Sequence, residues 1–118
     1  MKLGAKQEVF SRLMCQLVTH MHEQGYEVRM GEVWRSKAAA EDNARRGVGI
    51  VNSCHRLKIA LDINLFLDGD YLTTTEDHRV FGEFWEGLGA AHGVNTCWGG
   101  RFKRRDGNHY SIEHNGVK

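Results

Sequence analysis

The segment Ile59-Ala-Leu-Asp-Ile-Asn-Leu-Phe66 constrains this chain more than any other. Its side chains alternate. Ile59, Leu61, Ile63 and Leu65 fall on one face of a strand, and Ala60, Asp62, Asn64 and Phe66 on the other. Four aliphatics in a row need a hydrophobic layer to cover them. The opposite face carries a carboxylate beside the small Ala60. An ionised Asp on a core strand is costly unless it is paired or bound to a cation. The fold must therefore bring a partner to Asp62.

The flanking sequence supplies the layer. Val9, Phe10, Leu13, Met14, Leu17, Val18 and Met21 recur at helical spacing. They predict an amphipathic helix from about Lys6 to Gln24, stopped by Gly25. Tyr26, Val28 and Met30 alternate with Glu27 and Arg29 in a short strand. Ser36 caps a second helix through Arg46, with Glu41 four residues before Arg45. Residues 47–53 read as a loop, and Asp68-Gly69 as a turn leading to Tyr71 and Leu72. Thr73 and Glu76 form a capping box for a third helix. Val80, Phe81, Phe84, Trp85 and Leu88 make its apolar face. Asn95 to Asn108 is a loop rich in Gly and Arg, and Tyr110 to Glu113 a last strand. This order predicts one α+β domain over residues 1–118, a small antiparallel sheet flanked by about three helices. The 118 residues include no proline, so the turns rest on Gly, Asn and Asp.

Lys and Arg number 16 against 15 Asp and Glu, a balance that argues against binding driven by non-specific phosphate contacts. Three cysteines, Cys15, Cys54 and Cys97, cannot form a closed disulfide set. None lies in a Cys-x-x-Cys pair, which excludes a thiolate zinc finger. The N-terminus does not read as a signal peptide, and no apolar run approaches the ~20 residues of a membrane span. Synthesis in the cytoplasm is expected.

Seven histidines in so short a chain raise the question of organisation. His55 precedes Asp62 by seven residues. On one continuous strand that odd separation would put them on opposite faces, so His55 must precede the strand or follow a bend. Asp106-Gly-Asn is a turn, and His109 then opens a strand with Ser111 and Glu113 on its own face. If that strand pairs beside the Asp62 strand, His55, Asp62 and His109 can meet. Two imidazoles and a carboxylate with an open fourth position are the ligand type of a catalytic zinc site. Asp106 could then take a proton from water whose pKa the zinc lowers toward ~7. Glu113, ~13 Å along an extended strand from His109, is too distant to serve the same metal. His114 alternates to the opposite face. Surface positions are expected for His20, His22, His78 and His92.

The stretch Ser53-Cys-His55-Arg-Leu-Lys-Ile-Ala60-Leu-Asp62 resembles a Ser-x-His-x-x-Gly-x-Ala-x-Asp signature. That signature belongs to the zinc D,D- and L,D-peptidases of bacterial cell-wall peptides, the VanX and D-alanyl-D-alanine carboxypeptidase-like group. Trp98-Gly-Gly-Arg-Phe102 followed by Asp106-x-x-His109 looks like the elements of its bacteriophage members, the L-alanyl-D-glutamate endolysins. Val33-Trp-Arg35-Ser36 resembles the aromatic-Arg-Ser element before the second helix. The resemblance covers most of the chain, in order. It implies that His55, Asp62 and His109 hold Zn2+ and that Asp106 is the catalytic acid/base. Arg35 would stabilise the oxyanion or hold substrate, against a structural role such as an ion pair with Glu32 or Glu41. Ser53 would lie on the substrate side, with Trp98 as a core anchor or cleft wall. Lys58 stands where that family usually has Gly.

The implied protein is a zinc peptidase of peptidoglycan stems, an endolysin of a phage or prophage. It would act as a monomer and reach the wall after release through a holin-type pore. No nucleic-acid partner and no membrane insertion are implied. A D-alanyl-D-alanine carboxypeptidase or dipeptidase is the alternative within the enzyme class. A non-catalytic wall- or nucleic-acid-binding module, using Arg101 to Arg105 with Tyr110, is the alternative outside it.

Overall fold

The computed structural model describes residues 1–49 and 53–118; residues 50–52 of the expected loop lie outside the described residues. The elements run α1 (Leu3–Glu23), β1 (Glu27–Met30), α2 (Lys37–Arg45), β2 (Ala60–Leu67), β3 (Asp70–Leu72), α3 (Thr75–Leu88), β4 (Thr96–Trp98) and β5 (His109–Ile112). Short 3-10 turns cover Ala90–His92 and Gly99–Arg101. The class is α+β, as the order of elements implied. All the strand pairings are antiparallel, in the order β1-β2-β5-β4. β2 is central. β1 lies along one edge, while β5 pairs its first half and β3 its second.

Ile59, Ile63 and Leu65 are fully buried and Leu61 nearly so, and they share one core with Leu13, Leu17 and Met21 of α1 and with Phe81 and Trp85 of α3. Removing that apolar surface from water is the main force holding helices to sheet. Among the described residues, no helix is long and apolar enough to cross a membrane.

Two features of α3 differ from expectation. Its cap is Thr74, whose Oγ1 accepts from Asp77 N at 3.1 Å while the Asp77 carboxylate accepts from Thr74 N at 3.0 Å. An Asp closes the box as well as a Glu, so the helix starts one residue later. Its inward stripe is His78, Phe81, Gly82 and Trp85, whereas Val80 is 67% exposed. β4 also lies inside the stretch expected to be loop. It is three fully enclosed residues, too short to show a period, and it pairs Cys97 with Ser111 and Trp98 with Tyr110.

Before β2 the chain makes a tight turn in which Leu57 N donates to Cys54 O (3.1 Å) and Lys58 N to His55 O (3.2 Å). Lys58 closes it at φ 59°, in the left-handed region. A side chain there costs ~1–2 kcal/mol, against ~0.5–1 for the extra freedom of Gly in the unfolded chain. Lys58→Gly should therefore raise stability by about 0.5–1 kcal/mol, read as a higher urea midpoint at constant slope. A lower midpoint would mean that the contact of Lys58 Nζ with the Trp34 ring, 6.0 Å from its centroid, outweighs the strain.

Candidate metal centre

β2 and β5 set the site. Their register places Asp62 directly opposite His109. On the other edge of β2, Gly31 N donates to Asp62 O at 2.7 Å and Asp62 N to Glu32 O at 2.9 Å. A Cβ on Gly31 would stand 2.8 Å from Asp62 O, so only glycine permits this approach. His55 comes from the turn closed by Lys58, which supplies the bend that the seven-residue separation required. Ser53 Oγ steadies it by accepting from His55 N at 3.2 Å.

The three side chains converge. His55 Nε2 is 3.2 Å from Asp62 Oδ1, and His109 Nδ1 is 3.6 Å from it. One ligand atom from each lies within 4.8 Å of the other two. Asp62 Oδ1 is buried without a hydrogen-bond partner. His55 Nδ1 and His109 Nε2 are likewise buried and unpartnered. Burial pushes the Asp62 carboxyl up, but the two imidazoles beside it prevail and hold it at about 2. A buried anionic oxygen facing two imidazole nitrogens fits a divalent cation, and this N, N, O set is one that zinc accepts.

A cavity of about 650 Å³ opens over these three side chains, and Arg35, Ser53 and Asp106 line it. Arg35 forks onto Glu32, Nε to Oε1 at 2.5 Å and Nη2 to Oε2 at 2.9 Å. The hydrogen bond from Arg35 holds the Glu32 carboxyl below its ordinary value, against burial. The Arg35 backbone N donates to His55 O at 3.2 Å, tying it to the ligand turn.

Asp106 stands at the exposed rim, on a turn held at several points. Asp106 N donates to Gly99 O (3.0 Å), and Ile63 N donates to Asn108 O (2.9 Å). A Cβ on Gly99 would stand 2.0 Å from Asp106 O. The Asp106 carboxyl is raised above its usual range, first by desolvation and then by the charge on Asp62, against the pull of His109, His55 and Arg104.

Trp98 does not reach the cavity wall. The expectation of a substrate contact gives way to a buried anchor, 1% exposed, whose Nε1 donates to Gly107 O at 2.7 Å. It holds the Asp106 turn from beneath. Cys54 is buried beside the ligand and its thiol is pushed up to about 12 by desolvation, so it stays protonated and is no nucleophile.

His78 departs from the expected surface position. It is 1% exposed, not on the surface, and its Nδ1 lies 2.8 Å from Tyr110 Oη. A helical stripe of His78, Phe81 and Trp85 was the available signal. Its pKa is lowered to about 4 by desolvation. The unfolded chain takes up this proton near pH ~6.5 and the folded chain only near 4, so folding stability falls as pH drops through that window. The expected slope is about 1.4 kcal/mol per pH unit, and urea unfolding of His78→Gln against pH should lack it. An identical slope in that variant would assign the effect elsewhere. His20 is also half-buried, stacked on Phe84 with ring centroids 4.0 Å apart.

No family model and no curated protein matches the chain. Among solved structures it is similar to the L-Ala D-Glu endopeptidase ChiX of Serratia marcescens, at 22% identity and a TM-score of 0.63. The likeness covers 73% of this chain and 66% of that one, just under two thirds of its length. It is a likeness of fold.

Proposed function

We propose that this chain is a zinc-dependent peptidase of bacterial peptidoglycan stems, with the L-alanyl-D-glutamate bond as its target. The observation that carries this reading is the convergence of His55, Asp62 and His109 under a cavity whose rim holds Asp106. The fold shared with a protein named as an L-Ala D-Glu endopeptidase supports it. So does the resemblance of Trp98-Gly-Gly and Asp106-x-x-His109 to phage endolysins.

Zinc held by the three ligands would supply Lewis acidity at the scissile carbonyl and acidify water toward a pKa of ~7. Asp106 takes the proton of the attacking water and passes it to the leaving amine; a raised carboxyl pKa suits both steps. Arg35 spends Nε and Nη2 on Glu32, which fixes the guanidinium and leaves Nη1 for a substrate oxygen. Ser53 forms the wall beside His55. In this reading the chain is the endolysin of a phage or prophage. It works as a monomer and passes to the wall through a holin-type pore.

The test is a synthetic stem peptide containing both L-Ala-γ-D-Glu and a D-Ala-D-Ala end, incubated with the zinc-loaded chain and resolved by mass spectrometry. Release of the γ-D-glutamyl fragment is expected. Release of D-alanine would reassign the chain to the carboxypeptidases. An intact peptide beside tight wall binding would make it a non-catalytic module.

A further inference from the structure

We propose, on the basis of that reading, that Arg105 forms a carboxylate subsite that recognises the free α-carboxylate of the residue whose amine is released. Four cationic side chains line the cavity, Arg35, Arg104, Arg105 and Lys118. Arg35 is committed to Glu32, and Arg104 Nη1 donates to Gly47 O at 2.9 Å. Among the described residues, Arg105 and Lys118 form no ion pair or side-chain hydrogen bond. On the far side of Arg105, Glu76 is already clamped by Arg79 at 2.6 Å. Of the two carboxylates on the same wall, Asp62 is enclosed by the imidazoles of His55 and His109. The wall therefore carries cationic capacity that the protein does not consume.

Position decides which anion. Arg105 is the chain neighbour of Asp106, and both residues also line a second cavity of about 190 Å³ bounded by Thr75 and His78. Arg105 therefore borders the space in front of the Asp106 turn. In an L-Ala-γ-D-Glu bond the D-glutamyl α-carbon carries both the leaving nitrogen and a carboxylate. Asp106 serves that nitrogen, so the carboxylate two bonds away falls to Arg105. Arginine matches it with a planar fork. A stem whose α-carboxyl is amidated loses this contact and leaves the guanidinium unanswered.

The experiment uses two synthetic tripeptides, L-Ala-γ-D-Glu-L-Lys with the α-carboxylate free and with it as the carboxamide. kcat/KM should favour the carboxylate by at least about tenfold in 50 mM salt, mostly through KM, and less in 500 mM salt. Arg105→Gln should bring the two values together by weakening the carboxylate peptide. Arg105→Lys should keep part of the preference. Calorimetry on the Asp106→Asn chain, which does not turn over, should show the same tenfold difference in Kd. Equal rates on the two peptides in the unmodified chain overturn the subsite and leave the peptidase reading intact. So does an Arg105→Gln chain that slows both peptides by one factor. If neither peptide is cut, the peptidase reading fails, and the subsite fails with it.

Discussion

His109→Ala should lose bound metal and activity together. His109 is buried between the ligand partner Asp62 and the Phe102 ring, whose centroid lies 5.2 Å away. On the proposed function, truncation removes one of three ligands, and the two that remain do not make a catalytic zinc site. The lost Lewis acid is worth several kcal/mol of transition-state stabilisation, so kcat/KM should fall by a factor on the order of a thousand or more. Zinc content measured by atomic emission should drop from about one per chain to background. The core around Ile63 and Ile112 lies on the other face of the sheet from Asp62, so the unfolding transition should remain cooperative. A variant that retains both metal and turnover would remove His109 from the ligand set.

Asp106→Asn separates the proton carrier from the metal. The amide keeps the shape of the turn, since the hydrogen bonds that hold the turn come from backbone groups and from Trp98 Nε1. It cannot accept a proton. Turnover should fall about 10²- to 10⁴-fold with zinc still bound. The pH profile gives a second readout. As the proposed base, Asp106 works only when ionised, and its carboxyl is raised by desolvation and by Asp62. The unmodified chain should therefore lose activity, as pH falls, above the ordinary carboxylate range near ~4. The variant's residual rate should lack that acidic limb. Unchanged turnover in Asp106→Asn would withdraw its role as base while leaving the metal site in place.

Much of the site is legible in the sequence because it rests on strand alternation. A two-residue period puts Asp62 opposite the aliphatic row, and the odd spacing to His55 requires a bend, which the turn at Lys58 supplies. The pairing of Asp62 with His109 depends on register, which a single sequence leaves open until β5 is placed beside β2. What the sequence hides is set by long-range packing. β4 exists because Thr96–Trp98 pairs with β5, not because three residues carry a pattern. Trp98 is an anchor because its Nε1 finds Gly107 O on a loop nine residues away. His78 is buried because Tyr110, 32 residues on, offers its hydroxyl. Its helical spacing from Phe81 and Trp85 is the one sign of that in the sequence.

On the proposed function, a metal ion on His55, Asp62 and His109 drives hydrolysis of the peptide stem. The most direct measurement digests purified peptidoglycan with the zinc-loaded chain, the chelator-stripped chain and the stripped chain given back one equivalent of zinc. Newly exposed amino groups are then counted by chemical labelling. New amino-terminal D-glutamate is predicted in the first and third digests and background in the second. Undiminished release by the stripped chain would contradict the account.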